Sequence, residues 1–234
     1  MSHGITAQAA YTLSKNITNQ PETTVGLISN VPNPLNLNDG RGAALMDHRH
    51  SIAISWVWAP QVNTSSRLLK AVADGWTVTG LHRYQSGTPL DLIMGTDVAA
   101  NGSSYASSAQ FAQLAAGMTA ESLQKASPNR ASMVAQFFNT AAIVPPKQVP
   151  VGTYGNFRRG MIYGPGYSNS DVSVMKNIAL ATERVKLQLR GEFFNIFNQV
   201  NFNNPDQNAS SGTFGRITSA QPGRVVQVAV KLLW

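Results

Sequence analysis

Six stretches of this chain alternate apolar and polar residues with a period of two, the mark of strands with one greasy face and one mixed face. The last is the cleanest: Val226, Val228, Val230, Leu232 and Trp234 share one parity without a polar member, while Val225, Gln227, Ala229, Lys231 and Leu233 take the other. In the first, Ile5, Ala7, Ala9, Tyr11 and Leu13 alternate with Thr6, Gln8, Ala10, Thr12 and Ser14. A second covers about Arg49 to Ala59, with Ile52, Ile54, Trp56 and Trp58 in step before Pro60. A third runs from near Trp76 to near Gln85, ahead of a Gly87-Thr88-Pro89 turn. The fourth spans about Ser168 to Leu180 and the fifth about Arg184 to Asn195. Each is about 10–13 residues, long for a soluble strand but suited to crossing a bilayer at a tilt.

Long and short connections alternate. Gaps of about 33, 80 and 25 residues separate the first and second, third and fourth, and fifth and sixth strands; the others are about 16 residues and the tripeptide Ala181-Thr182-Glu183. This is the pattern of an up-and-down barrel with long loops outside and short turns in the periplasm. In an ordinary soluble domain the 80-residue gap would count against the strand assignment. Two strands break phase. Lys176 shares its parity with Val172, Val174, Ile178 and Leu180, so it either snorkels from the lipid face or marks a bulge. Phe193-Phe194 interrupts the alternation of Val185, Leu187 and Leu189, as a bulge or an aromatic girdle would.

The composition agrees. No run approaches the roughly 18–20 apolar residues of a spanning helix, and the mean hydropathy of -0.12 is what alternation produces. Charged residues are 12% of the chain, and Gly, Pro, Asn, Ser and Thr abound, a strand-and-turn balance. Cysteine is absent, which removes disulfides, thiolate metal sites and cysteine nucleophiles. The net charge of +7 is spread along the chain with no basic run longer than Arg158-Arg159, which argues against nucleic acid as a partner. The expectation is an all-β, antiparallel, up-and-down transmembrane barrel in the outer membrane. Its last strand turns Val226, Val228, Val230 and Leu232 to lipid and places Trp234 at the periplasmic interface, the set that the barrel-assembly machinery reads as its signal. Met1-Ser2-His3-Gly4 lacks the basic segment and apolar core of a signal peptide, so the exported protein is expected to start upstream. Six strands are fewer than the eight of the smallest ordinary barrels, so an open curved sheet with two free edges is expected.

A series of short motifs carries a resemblance. Ala10-Tyr11-Thr12-Leu13-Ser14-Lys15 is followed by Asp47-His48-Arg49-His50, then by Gly75-Trp76-Thr77-Val78-Thr79-Gly80 and Ser86-Gly87-Thr88-Pro89. Phe138-Asn139-Thr140-Ala141 leads to Gly152-Thr153-Tyr154-Gly155-Asn156 and Gly164-Pro165-Gly166. Asp171-Val172-Ser173, Lys176 and Arg190-Gly191-Glu192-Phe193-Phe194-Asn195-Ile196-Phe197-Asn198 complete the series. In this order and spacing the chain resembles the C-terminal portion of a TonB-dependent receptor, of the Oar-like outer-membrane barrel type common in acidobacteria. The resemblance implies a parent with a plug inside a barrel of about 22 strands, energised through TonB and importing an unknown substrate. Residues 1–234 are then the C-terminal part of a single barrel domain, without the plug and N-terminal strands. The rival readings are a passive outer-membrane binding or adhesion barrel and a soluble β-sandwich carbohydrate-binding module.

Candidate chemistry is sparse. His48 and His50 form a His-x-His pair, but only distant Asp47, His3 or His82 offers a third ligand, so rim polarity explains them better than a metal. No nucleophile elbow, phosphate loop or HExxH motif is present and the carboxylates are scattered, so neither an enzyme nor a cofactor is expected. Four Asn-x-Ser/Thr triplets, at Asn16, Asn63, Asn101 and Asn208, are chance matches in an Asn-rich chain. Phe111, Leu114 and Ala115 stand at helical spacing, which predicts a short helix within 108–126. Arg83, Lys186, Arg190 and Lys231, relieved by Glu192, are expected on the lumen side, where they would contact a plug or an anionic solute or simply be solvated.

Overall fold

Strands form along each of the six alternating stretches, the two with interrupted alternation included. A computed structural model describes residues 4–19, 33, 35–61, 64–101, 110–125, 127, 129–180 and 185–234. Among these, the long strands are β1 (Ile5–Leu13), β4 (His50–Trp58), β5 (Trp76–Gln85), β6 (Tyr167–Ala179), β7 (Lys186–Phe194) and β8 (Val225–Leu233). Two short strands, β2 (Ile17–Thr18) and β3 (Gly42–Ala43), pair with each other beside them. The six long strands make one antiparallel sheet in the order β1-β4-β5-β6-β7-β8, each beside its neighbour in the chain. The sheet does not close, and β1 and β8 are its edges. All three long connections therefore leave from one end. The connection 181–184, including the tripeptide turn, lies outside the described residues.

The register sorts side chains into two faces. Tyr11, Ile52, Tyr84 and Ser168 form one row across β1, β4, β5 and β6. Two residues along each strand is a second row: Ala9, Ile54, His82 and Ser170. A third holds Ala7, Trp56, Gly80, Val172, Phe193 and Val226, and a fourth Ile5, Trp58, Val78, Val174, Gly191 and Val228. Trp76, Lys176, Leu189 and Val230, then Ile178, Leu187 and Leu232, complete this face. It is mostly apolar, interrupted by Ser168, His82, Ser170 and Lys176, and many of its residues are exposed, among them Ile54, Trp58, Val228 and Leu232. The opposite face carries Thr6, Gln8, Thr12, Ser51, Ser55, Arg83, Asp171, Asn177, Gln188 and Lys231.

The aromatic residues of the apolar face gather towards its ends, Tyr11 and Tyr84 towards the long loops, Trp58 and Trp76 towards the short connections. The 10 residues of β5, at about 3.4 Å each and a tilt of about 40°, rise about 26 Å, close to the height of an outer-membrane apolar band. Trp56, His82 and Ser170, three polar side chains of the face, satisfy one another. Gly80 leaves room for the Trp56 ring, whose Cε2 would lie 2.3 Å from a Cβ there. Trp56 Nε1–H thereby reaches His82 Nε2 at 3.1 Å, which leaves His82 Nδ1 to donate to Ser170 Oγ at 2.9 Å.

Neither phase break is a bulge. Pairing is continuous from Trp76↔Lys176 to Gln85↔Tyr167 and from Val172↔Phe193 to Ala179↔Lys186. Lys176 therefore stands on the apolar face, yet it is only 7% exposed. Its ammonium donates to the carbonyls of Ala71 and Val72, at 2.9 and 3.1 Å, and of Asp74. Those carbonyls end helix α1 (Arg67–Ala73), in the connection between β4 and β5. The lysine does not snorkel to water. Phe193 and Phe194 pair with Val226 and Val225 in unbroken register, so Phe193 keeps to the apolar face and Phe194 turns to the polar one at the strand's last residue.

The hydrophobic core lies outside the sheet, in the longest connection. Residues 86–166 leave and return through a narrow neck: Gly164 N–H donates to Thr88 O at 2.8 Å, Leu90 N–H to Ile162 O at 3.1 Å, and Pro89 bridges Tyr163. A Cβ at Gly87 would lie 1.8 Å from Gly164 O. Beyond the neck, Leu90, Leu92, Phe111, Leu114, Leu123, Phe138, Ile143, Phe157 and Ile162 pack into one buried cluster, with Phe214 from the last connection against it. A short helix does lie within 108–126, at Ala120–Leu123, but the expectation that Phe111, Leu114 and Ala115 form it is corrected. Residues 102–109 and 126 lie outside the described set, and 110–119 is not helical. Phe111 and Leu114 instead bridge Ile93 and Ile143 in extended backbone, and Gly117 turns at φ +76 before a one-turn helix, Ala120–Leu123. Tertiary partners override a local spacing that suits either conformation.

Candidate functional site: the polar face and its outer mouth

The five charged residues expected together, Arg83, Lys186, Arg190, Glu192 and Lys231, share the polar face. Arg190 pairs with Glu192, two residues on along β7, at 2.5 Å. Arg83 Nη2 lies 3.8 Å from Asp171 Oδ2 on the neighbouring strand. These partly exposed pairs contribute roughly 0–1 kcal/mol each, so they orient side chains more than they hold the sheet together. Lys186 and Lys231 form no ion pair among the described residues.

Asp171 is the joint of this wall, and sequence reasoning assigned it no role. Besides Arg83, its Oδ1 accepts from Asn169 Nδ2 at 2.7 Å and from the Asn195 backbone N–H at 2.9 Å. Asn195 ends β7 in left-handed backbone at φ 54, and its side chain closes the turn against Gln199. Asparagine is among the few non-glycine residues that take this conformation readily, which is the signal a reading of Phe194-Asn195 offered.

Where the polar face meets the long connections, a cavity of about 410 Å³ opens, lined by Arg83, Gln85 and Tyr167 from the sheet and His48, Asn203 and Gln221 from the loops. Gln221 Nε2 donates to Asn203 Oδ1 at 2.6 Å, and His48 Nδ1 donates to Ser86 O at 2.7 Å. Beside it, a cavity of about 600 Å³ is lined by Lys15, Arg41, Asp47, Arg49, Arg159 and Tyr163 among others. Arg159 is buried there, donating to Asp91 Oδ2 at 2.7 Å with its guanidinium 5.8 Å from the Phe111 ring centroid. Amide, imidazole and guanidinium donors in these cavities are groups that hold polar or anionic solutes by hydrogen bonds. The His-x-His residues diverge: His48 serves Ser86, and His50 bonds the Tyr11 hydroxyl at 2.9 Å. His3, the third-ligand candidate, lies outside the described residues, as does Asn63.

In the loop cap, burial alone would raise the Asp206 carboxyl, but hydrogen bonds from Ser211, Thr213 and the Asn208 backbone N–H outweigh it and hold it below its ordinary value. On the terminal strand, Val226, Val228, Val230 and Leu232 stand on the apolar face and are exposed, with Trp234 exposed just beyond β8.

No curated protein and no solved structure gives a significant match to this chain. A family model described as an outer membrane beta barrel domain matches residues 1–227. Since that match spans nearly the whole chain, and since the register separates an apolar face from a polar one as a bilayer wall requires, the chain belongs to the outer-membrane β-barrel family and resides in the outer membrane.

Proposed function

We propose that the chain is barrel wall and outer-loop lid of a TonB-dependent, Oar-like receptor that imports a polar solute across the outer membrane. The observation that carries this reading is the combination at one end of the sheet. A charged polar wall opens into donor-rich cavities lined jointly by sheet and loop residues, and a folded cap with its own core stands at the same end of the sheet. In this reading Arg83, Lys186, Arg190, Glu192 and Lys231 face the lumen, where they contact the plug or the imported ligand. Val226, Val228, Val230, Leu232 and Trp234 form the signal read by the assembly machinery. The remainder of the receptor supplies the plug and the segment that engages TonB.

The test is the size and company of the protein in its own outer membrane. An antibody raised against the 86–166 cap should detect a detergent-extracted species much heavier than the 25.1 kDa of this chain, and photo-crosslinking should join that species to the periplasmic domain of TonB. A species of the chain's own mass without that crosslink would instead favour a passive binding or adhesion barrel. Deleting Trp234 should lower the assembled amount while leaving synthesis and export intact; unchanged assembly would make Trp234 a rim aromatic only.

A further inference from the structure

Helix α1 leaves its apolar side chains bare. Leu68, Leu69 and Val72 are 82%, 61% and 70% exposed. Their spacing gathers them on one stripe, with Lys70 on the opposite side. Two side chains of the sheet pin the helix in place. The Lys176 ammonium takes the carbonyls of Ala71, Val72 and Asp74, and Trp76 Nε1–H donates to Val72 O at 2.8 Å. The ammonium also lies 5.2 Å from the Trp76 ring centroid. The last carbonyls of a helix lack intrahelical donors and carry partial negative charge, and the lysine answers both. Lys176 and Trp76 belong to the face that meets lipid, so α1 is held against that same face, at its short-connection end, with its stripe turned away from the protein.

We propose that α1 is an interfacial membrane anchor: Leu68, Leu69 and Val72 insert among the acyl chains of phospholipids in the periplasmic leaflet, and Lys176 is the latch that holds the helix there. The occupant follows from attachment, because the exposed stripe is fastened by Trp76 and Lys176 to the apolar face of β5 and β6, the face that meets lipid. A short helix with an apolar side and a lysine opposite lies flat in the headgroup boundary, with the ammonium on the wet side. This inference rests on membership of the outer-membrane family and not on the receptor reading.

The chain contains no cysteine, so single labels report cleanly. The full protein carrying Leu69→Cys, Val72→Cys or Lys70→Cys is labelled with an environment-sensitive fluorophore and reconstituted in phosphatidylcholine vesicles, with or without brominated acyl chains. Labels at 69 and 72 should be blue-shifted and quenched by brominated lipid about two-fold more than the label at 70. Water-like emission at 69 and 72 would overturn the proposal, as would a blue shift without lipid quenching, which would mean that protein covers the stripe. Lys176→Met should bring the label at 69 down to the level of the label at 70 while the heat-modifiable gel shift persists. Unchanged quenching in that variant would remove Lys176 as the latch. If Lys176→Met does not fold, Trp76→Phe, which deletes the indole bond to Val72, is read in the same way.

Discussion

The sheet and the cap of outer loops solve folding for two different solvents. The sheet keeps Val228, Val230 and Leu232 exposed and spends its polar residues on the other face, an arrangement that water would punish and hydrocarbon rewards. The 86–166 connection does the reverse. It buries Leu90, Leu92, Phe138 and Phe157 completely or nearly so among irregular backbone, as a small soluble domain does. Burial is thus a guide to structural importance in the cap and misleads in the sheet, where the residues that meet the bilayer look surface-like. The two regions are therefore expected to unfold separately. The sheet is held by ladders and by its lipid, the cap by its own core.

Three perturbations would break or sharpen this contrast. Phe138→Ala, within the cap core, should cost the cap about 3–5 kcal/mol. Limited proteolysis should then cut within 86–166 while membrane-embedded strands stay protected; protection lost throughout would mean that cap and sheet fold as one unit. Val230→Lys should cost about 2–4 kcal/mol of insertion by placing a charge on the lipid face without the carbonyls that receive Lys176, whereas Lys231→Ala on the wet face should change little. Urea titration of folding into lipid vesicles checks the pair, and equal effects would contradict the assignment of faces. The smallest effect belongs to Asp206. Its carboxyl is held below the ordinary value in the folded cap, so its contribution is complete above about pH 4 and is lost as pH falls through the lowered folded value. Asp206→Asn should flatten the acid dependence of proteolysis in the cap and leave that of the sheet unaltered.

The legible and illegible parts divide along the same line. All six long strands show in the alternation, since a half-buried strand writes its period of two directly into the chain. Val226, Val228, Val230 and Leu232 could be assigned a common face from the last eleven residues alone. The cap had no such period. Phe111 and Leu114 bond to residues far away in irregular backbone, and a helical spacing misdescribed them. Lys176 was legible as an anomaly but not as a solution, because its acceptors lie at residues 71–74. The same holds for Asp171, whose partners Arg83 and Asn195 come from two other elements.

The neck at Gly87 and Gly164 has a consequence for how this wall changes over generations. Once the two ends of an excursion are pinned together, closing it costs an entropy that grows only with the logarithm of its length, about 0.6 kcal/mol per doubling. Insertions, deletions and exchanges beyond Thr88 and Ile162 therefore leave the β5–β6 register nearly untouched. The roof can be rewritten while the staves beneath it are inherited unaltered.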